Sequence, residues 1–293
     1  MSKKQHEIDD NEIRIISAQE PEIRKANRRS PRIFLFILIS IIGIVGIGII
    51  FIQSNAGKEN DAAIDAPETA VKEPAPIINN EEKTIGIIKG FTIAVDTAVN
   101  KKRLLILSPV NARPRLIIGK EGLNDTNIVL ATQAADIRSD NGQIVGTFVL
   151  NGEVISKGEA KAGFCSIING ELSIGLAPAT PMLEQTLTDG GYYFRQYPLV
   201  VGGQIVENKP KGKAIRKALV EIGSKIYVVM SRERLTFHDF SQLLIDVGAR
   251  NAIYLVGSSS HSFYVNEEGK KIMMSNAPSK DIENVSYIIW ERE

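Results

Sequence analysis

An uninterrupted apolar run at residues 33–52 constrains this chain more than any other feature. It reads IFLFILISIIGIVGIGIIFI and contains twenty residues without a charge. A twenty-residue α-helix is about 30 Å long, which matches the thickness of the hydrocarbon core of a bilayer. A helix buried in a protein core would be shorter and would show a polar face. The run therefore predicts a transmembrane helix, so the membrane is the first partner that the sequence indicates.

The charges on either side of this run predict its orientation. Residues 24–32 carry five basic side chains and no acidic one, whereas residues 53–84 carry seven acidic side chains and three lysines. Basic residues near a membrane span stay on the cytoplasmic side. We therefore expect a single-pass protein of the cell membrane, with residues 1–32 as a cytoplasmic tail and the C-terminal part in the periplasm or otherwise outside the cytoplasm.

A cleaved signal peptide is the alternative to an anchor. Ser54-Asn55-Ala56 provides a small-x-small site of the kind that signal peptidase recognises. The apolar core of a signal peptide, however, is only about 7–15 residues long, and here the run is longer and follows a long polar leader. These features favour an uncleaved signal anchor.

The remainder of the chain divides into a linker and one folded domain. Residues 53–83 are rich in Ala, Pro, Glu, Asn and Lys, so we expect a disordered linker. Strand-like patterns begin near Thr84, and residues 84–293 are long enough to bury one substantial core. The formal net charge of +1 argues against nucleic acid as a partner. Cys165 is the only cysteine, which rules out an internal disulfide.

Strand signals dominate this domain. Asn151-Gly152 and Asn169-Gly170 each lie between apolar runs, and Asn-Gly favours the type I′ turn of a β-hairpin. One helix is clear: Thr236 can cap it, an apolar stripe follows at helical spacing, and Gly248 ends it. A weaker helix is expected at residues 182–187, and the C-terminal run SYIIWERE is expected to form a closing strand. The fold class is therefore α+β, with mixed or antiparallel twisted β-sheets and a few helices, preceded by one transmembrane helix.

The second half of the domain follows a recognisable order of motifs. The chain reads YPLVVGGQI, then a strand opened by Arg216, a second strand KIYVVMS, the Thr-capped helix TFHDFSQLLIDVG, and the strand and loop NAIYLVGSSS. This order resembles the phosphodiester glycosidase family over about residues 128–264, most closely from Arg216 to Tyr264. The resemblance implies a hydrolase that removes a sugar from a phosphodiester, with a glycan or other phosphate-bearing molecule as its ligand.

The resemblance also assigns candidate site residues. Arg216 matches an arginine of the family and is expected to bind an anionic group. Three lysines lie close to it in the chain, so this stretch is either an anion-binding site or a solvated basic edge strand; they are Lys211, Lys213 and Lys217. Gly257, Ser258, Ser259 and Ser260 match its Gly/Ser loop and are expected to bind ligand. Gln133 stands at the position of an asparagine in an early family motif. The candidates for a catalytic role are Arg216, Gln133 and His261, and none of them is decisive alone.

One departure from the family bears directly on catalysis. The family ends its last strand with Leu-Asp-Gly, and this chain has Leu255-Val256-Gly257. Glycoside hydrolysis normally uses carboxylates, and valine can neither accept a proton nor bind a cation. Asp136 could replace the missing carboxylate. Three hypotheses follow: an active glycosidase-like hydrolase, a member that binds a glycan or protein without cleaving it, and a structural envelope component.

Metal and cofactor use is not indicated by the sequence. Three scattered histidines and one cysteine give no zinc-ligand spacing, so no metal site is expected. No cofactor can be named from the motifs.

Overall fold

The computed structural model describes residues 14–15, 89–177, 180–257, 260–275 and 285–293. The chain divides into two compact units, one of residues 1–20 with 88–293 and one of residues 21–87, and every described residue belongs to the first unit. Within the described ranges, no helix is long and apolar enough to cross a bilayer. The expected transmembrane helix at 33–52, the linker at 53–83 and the domain boundary at Thr84 lie outside the described residues.

The described residues form eighteen β-strands, which are numbered here in chain order. They are β1 (Arg14–Ile15), β2 (Phe91–Val99), β3 (Lys102–Val110), β4 (Ala112–Ile118), β5 (Ile128–Gln133), β6 (Phe148–Leu150), β7 (Glu153–Ser156), β8 (Gly163–Ile168), β9 (Glu171–Leu176), β10 (Tyr192–Gln196), β11 (Pro198–Val201), β12 (Gln204–Glu207), β13 (Lys217–Ile222), β14 (Lys225–Ser231), β15 (Ala249–Leu255), β16 (Ser262–Val265), β17 (Lys271–Ser275) and β18 (Ser286–Arg292). Three helices accompany them: a 3₁₀ turn (Glu121–Asn124), α1 (Met182–Thr188) and α2 (Phe237–Asp246).

These strands build three sheets. The largest has eight strands in the order β1-β12-β11-β15-β13-β14-β3-β2, and the two others have five each, in the orders β7-β6-β10-β8-β9 and β17-β16-β5-β18-β4. Every pairing between the described strands is antiparallel. The expected α+β class with antiparallel sheets is confirmed for this part of the chain.

The local signals in the sequence are borne out where the structure describes them. Asn151 and Gly152 have φ values of 50° and 79°, as a type I′ turn requires, and they join β6 to β7. The hydroxyl oxygen of Thr236 accepts a hydrogen bond from the Asp239 N–H at 3.0 Å, which caps α2 as predicted. The C-terminal run SYIIWERE forms β18, which pairs with both β5 and β4.

Strand β13 separates the two main parts of the core, because its side chains alternate between the faces of the eight-stranded sheet. Ala218 and Val220 face the side that α2 covers, where they pack with Phe240 and Leu244. Leu219 faces the main core, which the inner residues of all three sheets fill. Residues two positions apart in a strand point to the same face, so the Lys217 side chain points toward the main core, as Leu219 does, and not toward solvent.

Candidate functional site

The end of β15 approaches the segment before β13 very closely. A Cβ atom on Gly257 would lie 2.2 Å from the carbonyl oxygen of Ile215, so only glycine fits at this position. The Gly257 N–H donates a hydrogen bond to the hydroxyl oxygen of Tyr254 at 3.1 Å. Val256, where the family resemblance predicts an aspartate, is half-buried. Of the predicted ligand-binding residues, Ser258 and Ser259 lie outside the described residues.

Arg216 is part of this site, but its guanidinium group is already bonded. Arg216 is 6% exposed, its Nε donates to the carbonyl oxygen of Leu235 at 3.0 Å, and its Nη2 donates to the carbonyl oxygen of Gly212. The guanidinium carbon lies 4.1 Å from the centre of the Phe237 ring. These contacts tie together the segments on either side of β13 and β14, so the geometry favours a structural role for Arg216. The predicted anion-binding role stays a prediction.

A second polar group reaches the same place from the loop after β5. Asp136 forms an ion pair with Lys161, whose side chain is 4% exposed against 31% for Asp136. The Lys161 Nζ lies 4.5 Å from the centre of the Tyr197 ring. Burial first, and then the charge of Asp136, raise the pKa of the Tyr254 hydroxyl. A carboxylate therefore lies near the end of β15.

Aromatic contacts join these groups into one assembly. The ring of Phe237 is 5.5 Å from that of Tyr197 and 4.8 Å from that of Tyr254, measured between ring centres. We call the assembly the paired cluster, because each cation in it has an anionic, aromatic or carbonyl partner. Its members are Asp136, Lys161, Tyr197, Arg216, Phe237 and Tyr254.

Gln133 and the residues after it are held by backbone contacts. Gln133 is the last residue of β5 and is 9% exposed. The N–H groups of Ala134 and Ala135 donate to the backbone carbonyl and the side-chain hydroxyl of Ser286, at 2.9 and 3.1 Å. The Gln196 side chain donates to the carbonyl oxygen of Ala134 at 3.4 Å. These bonds fix the loop that carries Asp136 and leave the two alanine amides unable to bind a ligand.

Lys217 lies on the other face of β13 and is 1% exposed. Its Nζ donates to the hydroxyl oxygens of Ser260 and Ser262 at 2.5 and 3.0 Å. The Ser260 hydroxyl lies 2.8 Å from the carbonyl oxygens of Val256 and Gly257, so it can donate to one of them. Burial lowers the pKa of Lys217 to about 7, because desolvation disfavours the charged amine.

His261 lies between the two serines that Lys217 holds. Burial, and then the charges of Lys271, Lys120 and Lys217, lower the pKa of its imidazole. Lys271 is exposed, and its Nζ lies 3.5 Å from the centre of the Phe263 ring. We call this second assembly the cationic cluster. Its members are Lys217, Ser260, His261, Ser262, Phe263 and Lys271.

The structure separates basic residues that the sequence placed together. We interpreted Lys211, Lys213, Arg216 and Lys217 as one anion-binding stretch or as one solvated edge strand. β13 is instead an inner strand between β15 and β14, so the edge-strand interpretation is wrong. Lys211 and Lys213 are exposed, whereas Arg216 and Lys217 are buried on opposite faces. Lys217 was missed as a site residue, although its spacing from Leu219 indicates an inward orientation.

Metal ligation finds no support in the part of the chain that the structure describes. No group of three or more His, Cys, Asp or Glu side chains there could hold a metal ion. Cys165 is buried, and burial raises the pKa of its thiol, which fits a packing role.

The ends of β5 and β15 and the start of β13 meet at one polar site in a β-rich domain of antiparallel sheets. The sequence profile of the phosphodiester glycosidase family matches residues 126–290, which is more than half of the chain. The chain belongs to the phosphodiester glycosidase family. The match reaches beyond the predicted range of 128–264 and includes most of β18.

Two solved structures are similar to this chain. One is the catalytic domain of zebrafish N-acetylglucosamine-1-phosphodiester alpha-N-acetylglucosaminidase, auto-inhibited by its pro-peptide, with 12% identity, 72% of this chain and 85% of that chain covered, and a TM-score of 0.48. The other is a hypothetical protein from Synechocystis, with 12% identity, 70% and 62% covered, and a TM-score of 0.43. No curated protein sequence matches this chain.

Proposed function

We propose that this protein is a membrane-anchored member of the phosphodiester glycosidase family that acts outside the cytoplasm. Its domain binds envelope material that contains a glycan or a phosphodiester, and it cleaves that material slowly or not at all. Family membership supports the ligand class. The apolar run at 33–52 and the basic residues that precede it support the anchor and its orientation.

Val256 is the residue from which we infer slow or absent catalysis. It directly follows β15, at the position where the family has an aspartate. A carboxylate at a glycosidic centre activates water or stabilises the positive charge that develops on the sugar. Loss of a general acid or base lowers a rate by about 10²–10⁴-fold. Binding requires no proton transfer, so it survives this replacement.

Slow hydrolysis is the second candidate function, and Asp136 favours it. The carboxylate is part of the paired cluster, and its charge acts on Tyr254, whose hydroxyl accepts from the Gly257 N–H. The ion pair with Lys161 keeps one carboxylate oxygen occupied. Only the other carboxylate oxygen of Asp136 is therefore available to a substrate or a water molecule.

Release of free sugar from UDP-N-acetylglucosamine by the purified full chain tests the proposal. We expect a rate close to background for the natural chain. Val256→Asp should raise the rate about 10- to 100-fold, because it restores a carboxylate at the strand end. Val256→Asn is the matched control: it has a similar size and polarity without the acid, and it should change nothing. Rapid release by the natural chain would contradict the proposal.

The proposed membrane orientation needs a separate test, because the pairing of β1 with β12 is incompatible with that orientation. Arg14 and Ile15 of β1 pair with Glu207 and Val206 of β12, which requires both segments in one compartment. In the anchored orientation these segments lie on opposite sides of the membrane. Reporters fused after Thr84 distinguish the two arrangements. We expect activity from the extracytoplasmic reporter, and activity from a cytoplasmic reporter alone would overturn the orientation.

A further inference from the structure

The cationic cluster brings positive charge together from three separate parts of the chain. Lys217 comes from β13, His261 from the loop between β15 and β16, and Lys271 from the start of β17. Lys217 contacts Ser260, which His261 directly follows, and the Lys271 amine lies over the ring of Phe263. The lysine charges at 217 and 271 both act on the His261 ring. Such convergence is unfavourable for the protein alone, because like charges repel each other.

No carboxylate among the described residues accepts a hydrogen bond from Lys217, His261 or Lys271. The two bonds of the Lys217 amine go to hydroxyl groups, and Lys271 lies over an aromatic ring. Buried charges in proteins are normally paired with an opposite charge. An anion bound here would supply that missing charge.

A buried hydroxyl lies next to the serines that Lys217 binds, on the face of the sheet opposite to Phe263 and Lys271. Thr132 of β5 pairs across the strands with Ser262, so both side chains leave the sheet on the same face. The Thr132 hydroxyl is fully buried, and within the described ranges it has no hydrogen-bond partner. Such a group normally costs free energy unless a water molecule or a ligand satisfies it.

We propose that the cationic cluster is the phosphate-binding subsite of this domain. Lys271 and His261 contact the anionic oxygens of the phosphodiester group, and Lys217 acts from beneath them as a positioning residue that holds Ser260 and Ser262. The subsite rests on the proposed function for its ligand, a glycosyl phosphodiester, but its affinity for phosphate is a separate property.

Equilibrium binding of UDP-N-acetylglucosamine and of inorganic phosphate to the full chain tests this subsite. Lys271→Gln and His261→Gln should each weaken binding of both probes about tenfold, because each removes one charge-assisted contact. Lys270→Gln is the matched control: it removes the same charge one residue away, at an exposed position in the turn before β17. It should change either dissociation constant less than about twofold.

The pH dependence of binding tests the role of Lys217. A phosphodiester keeps its charge between pH 6 and 8, so any change in its affinity comes from the protein. The groups that face His261 are Lys271, Lys120 and Lys217, and the polar groups that face the Lys217 amine are the hydroxyls of Ser260 and Ser262. Falling pH adds positive charge to His261 and Lys217, so binding should be about three- to tenfold tighter at pH 6 than at pH 8. Lys217→Met should reduce that ratio.

The outcomes separate this inference from the proposed function. If UDP-N-acetylglucosamine binds with an affinity that Lys271→Gln and His261→Gln leave unchanged, the subsite is wrong while the proposed function stands. If phosphate binds through these residues but the sugar diester does not, the subsite stands and the proposed function fails. An equal loss in Lys270→Gln would mean unspecific attraction and would overturn the subsite.

Discussion

The two clusters lie on either side of β13 and hold similar numbers of charged groups, but these groups have different kinds of partners. In the paired cluster, Lys161 has a carboxylate partner, and Arg216 has two carbonyl oxygens and an aromatic ring. In the cationic cluster, Lys217 has only hydroxyl partners within the described residues. The first arrangement satisfies its own charges, so it stabilises the fold. The second leaves positive charge uncompensated, which is expected of a site that receives an anion.

This contrast changes how an arginine in a family motif is interpreted. Arg216 is the residue that the motif indicates as the anion-binding group, yet its guanidinium is 6% exposed and bonded to the protein. Lys217 follows it directly, and strand alternation turns its side chain to the opposite face. We infer that the neighbouring position contributes charge to the ligand site, while the anion-binding role of Arg216 stays a prediction.

The largest expected effect on stability comes from breaking the paired cluster. Asp136→Asn leaves the Lys161 amine buried without its carboxylate, and this should lower the free energy of unfolding by about 3 kcal/mol. Chemical denaturation of the full chain measures the change. The control is Asp140→Asn in the same loop, which breaks the exposed ion pair with Arg138 and should change stability little. Equal losses in both variants would mean that the ion pair with Lys161 stabilises the fold no more than the exposed ion pair does.

An effect of opposite sign is expected in the cationic cluster. The pKa of Lys217 is lowered from 10.5 to about 7 in the folded state, so between these values the unfolded chain binds more protons. Stability should therefore rise with pH across this window, and the cost of charging the amine is fully present below pH 7. Lys217→Met removes that cost, so it should flatten the slope and leave the chain at least as stable at pH 6.

Thermal unfolding at several pH values between 6 and 10 measures this slope. Lys225→Met, at the exposed start of β14, is the control because it removes a lysine from the same hairpin without touching the cluster. It should keep the slope of the natural chain. A natural chain whose stability does not rise with pH would show that Lys217 is already compensated, and the contrast between the clusters would then be lost.

The smallest expected effect concerns the helix that supports the paired cluster. Thr236→Ala removes the cap of α2 next to Phe237, whose ring packs against Arg216. It should cost about 1 kcal/mol, measured by chemical denaturation. Thr236→Ser keeps the capping oxygen and should cost clearly less. If alanine and serine had the same effect, the cap would contribute little and the position of Phe237 would depend on packing alone.

Local features of the fold could be predicted from the sequence. The Asn-Gly turns, the cap of α2 and the closing strand β18 each depend on residues that are near in the chain. The order of strands in the three sheets depends on distant pairings, for which a single sequence carries no local signal. The position of β13 inside its sheet, between β15 and β14, was therefore missed.

The candidate site was predictable only in part, for a similar reason. The family motifs indicated the strand end at Val256 and Gly257, and the close approach of Ile215 to Gly257 explains why glycine is needed there. The contacts of Arg216 with distant carbonyl groups could not be inferred from its motif. The ion pair of Asp136 with Lys161 joins two loops, so only the folded structure reveals it.

The most direct test of the account is to bind UDP-N-acetylglucosamine to the natural full chain at equilibrium and then to analyse the recovered ligand. The account predicts saturable binding, with the ligand recovered intact after many times the period that binding needs to reach equilibrium. Recovery of free N-acetylglucosamine in place of the diester would contradict it, because a chain with valine at position 256 would then be an efficient glycosidase.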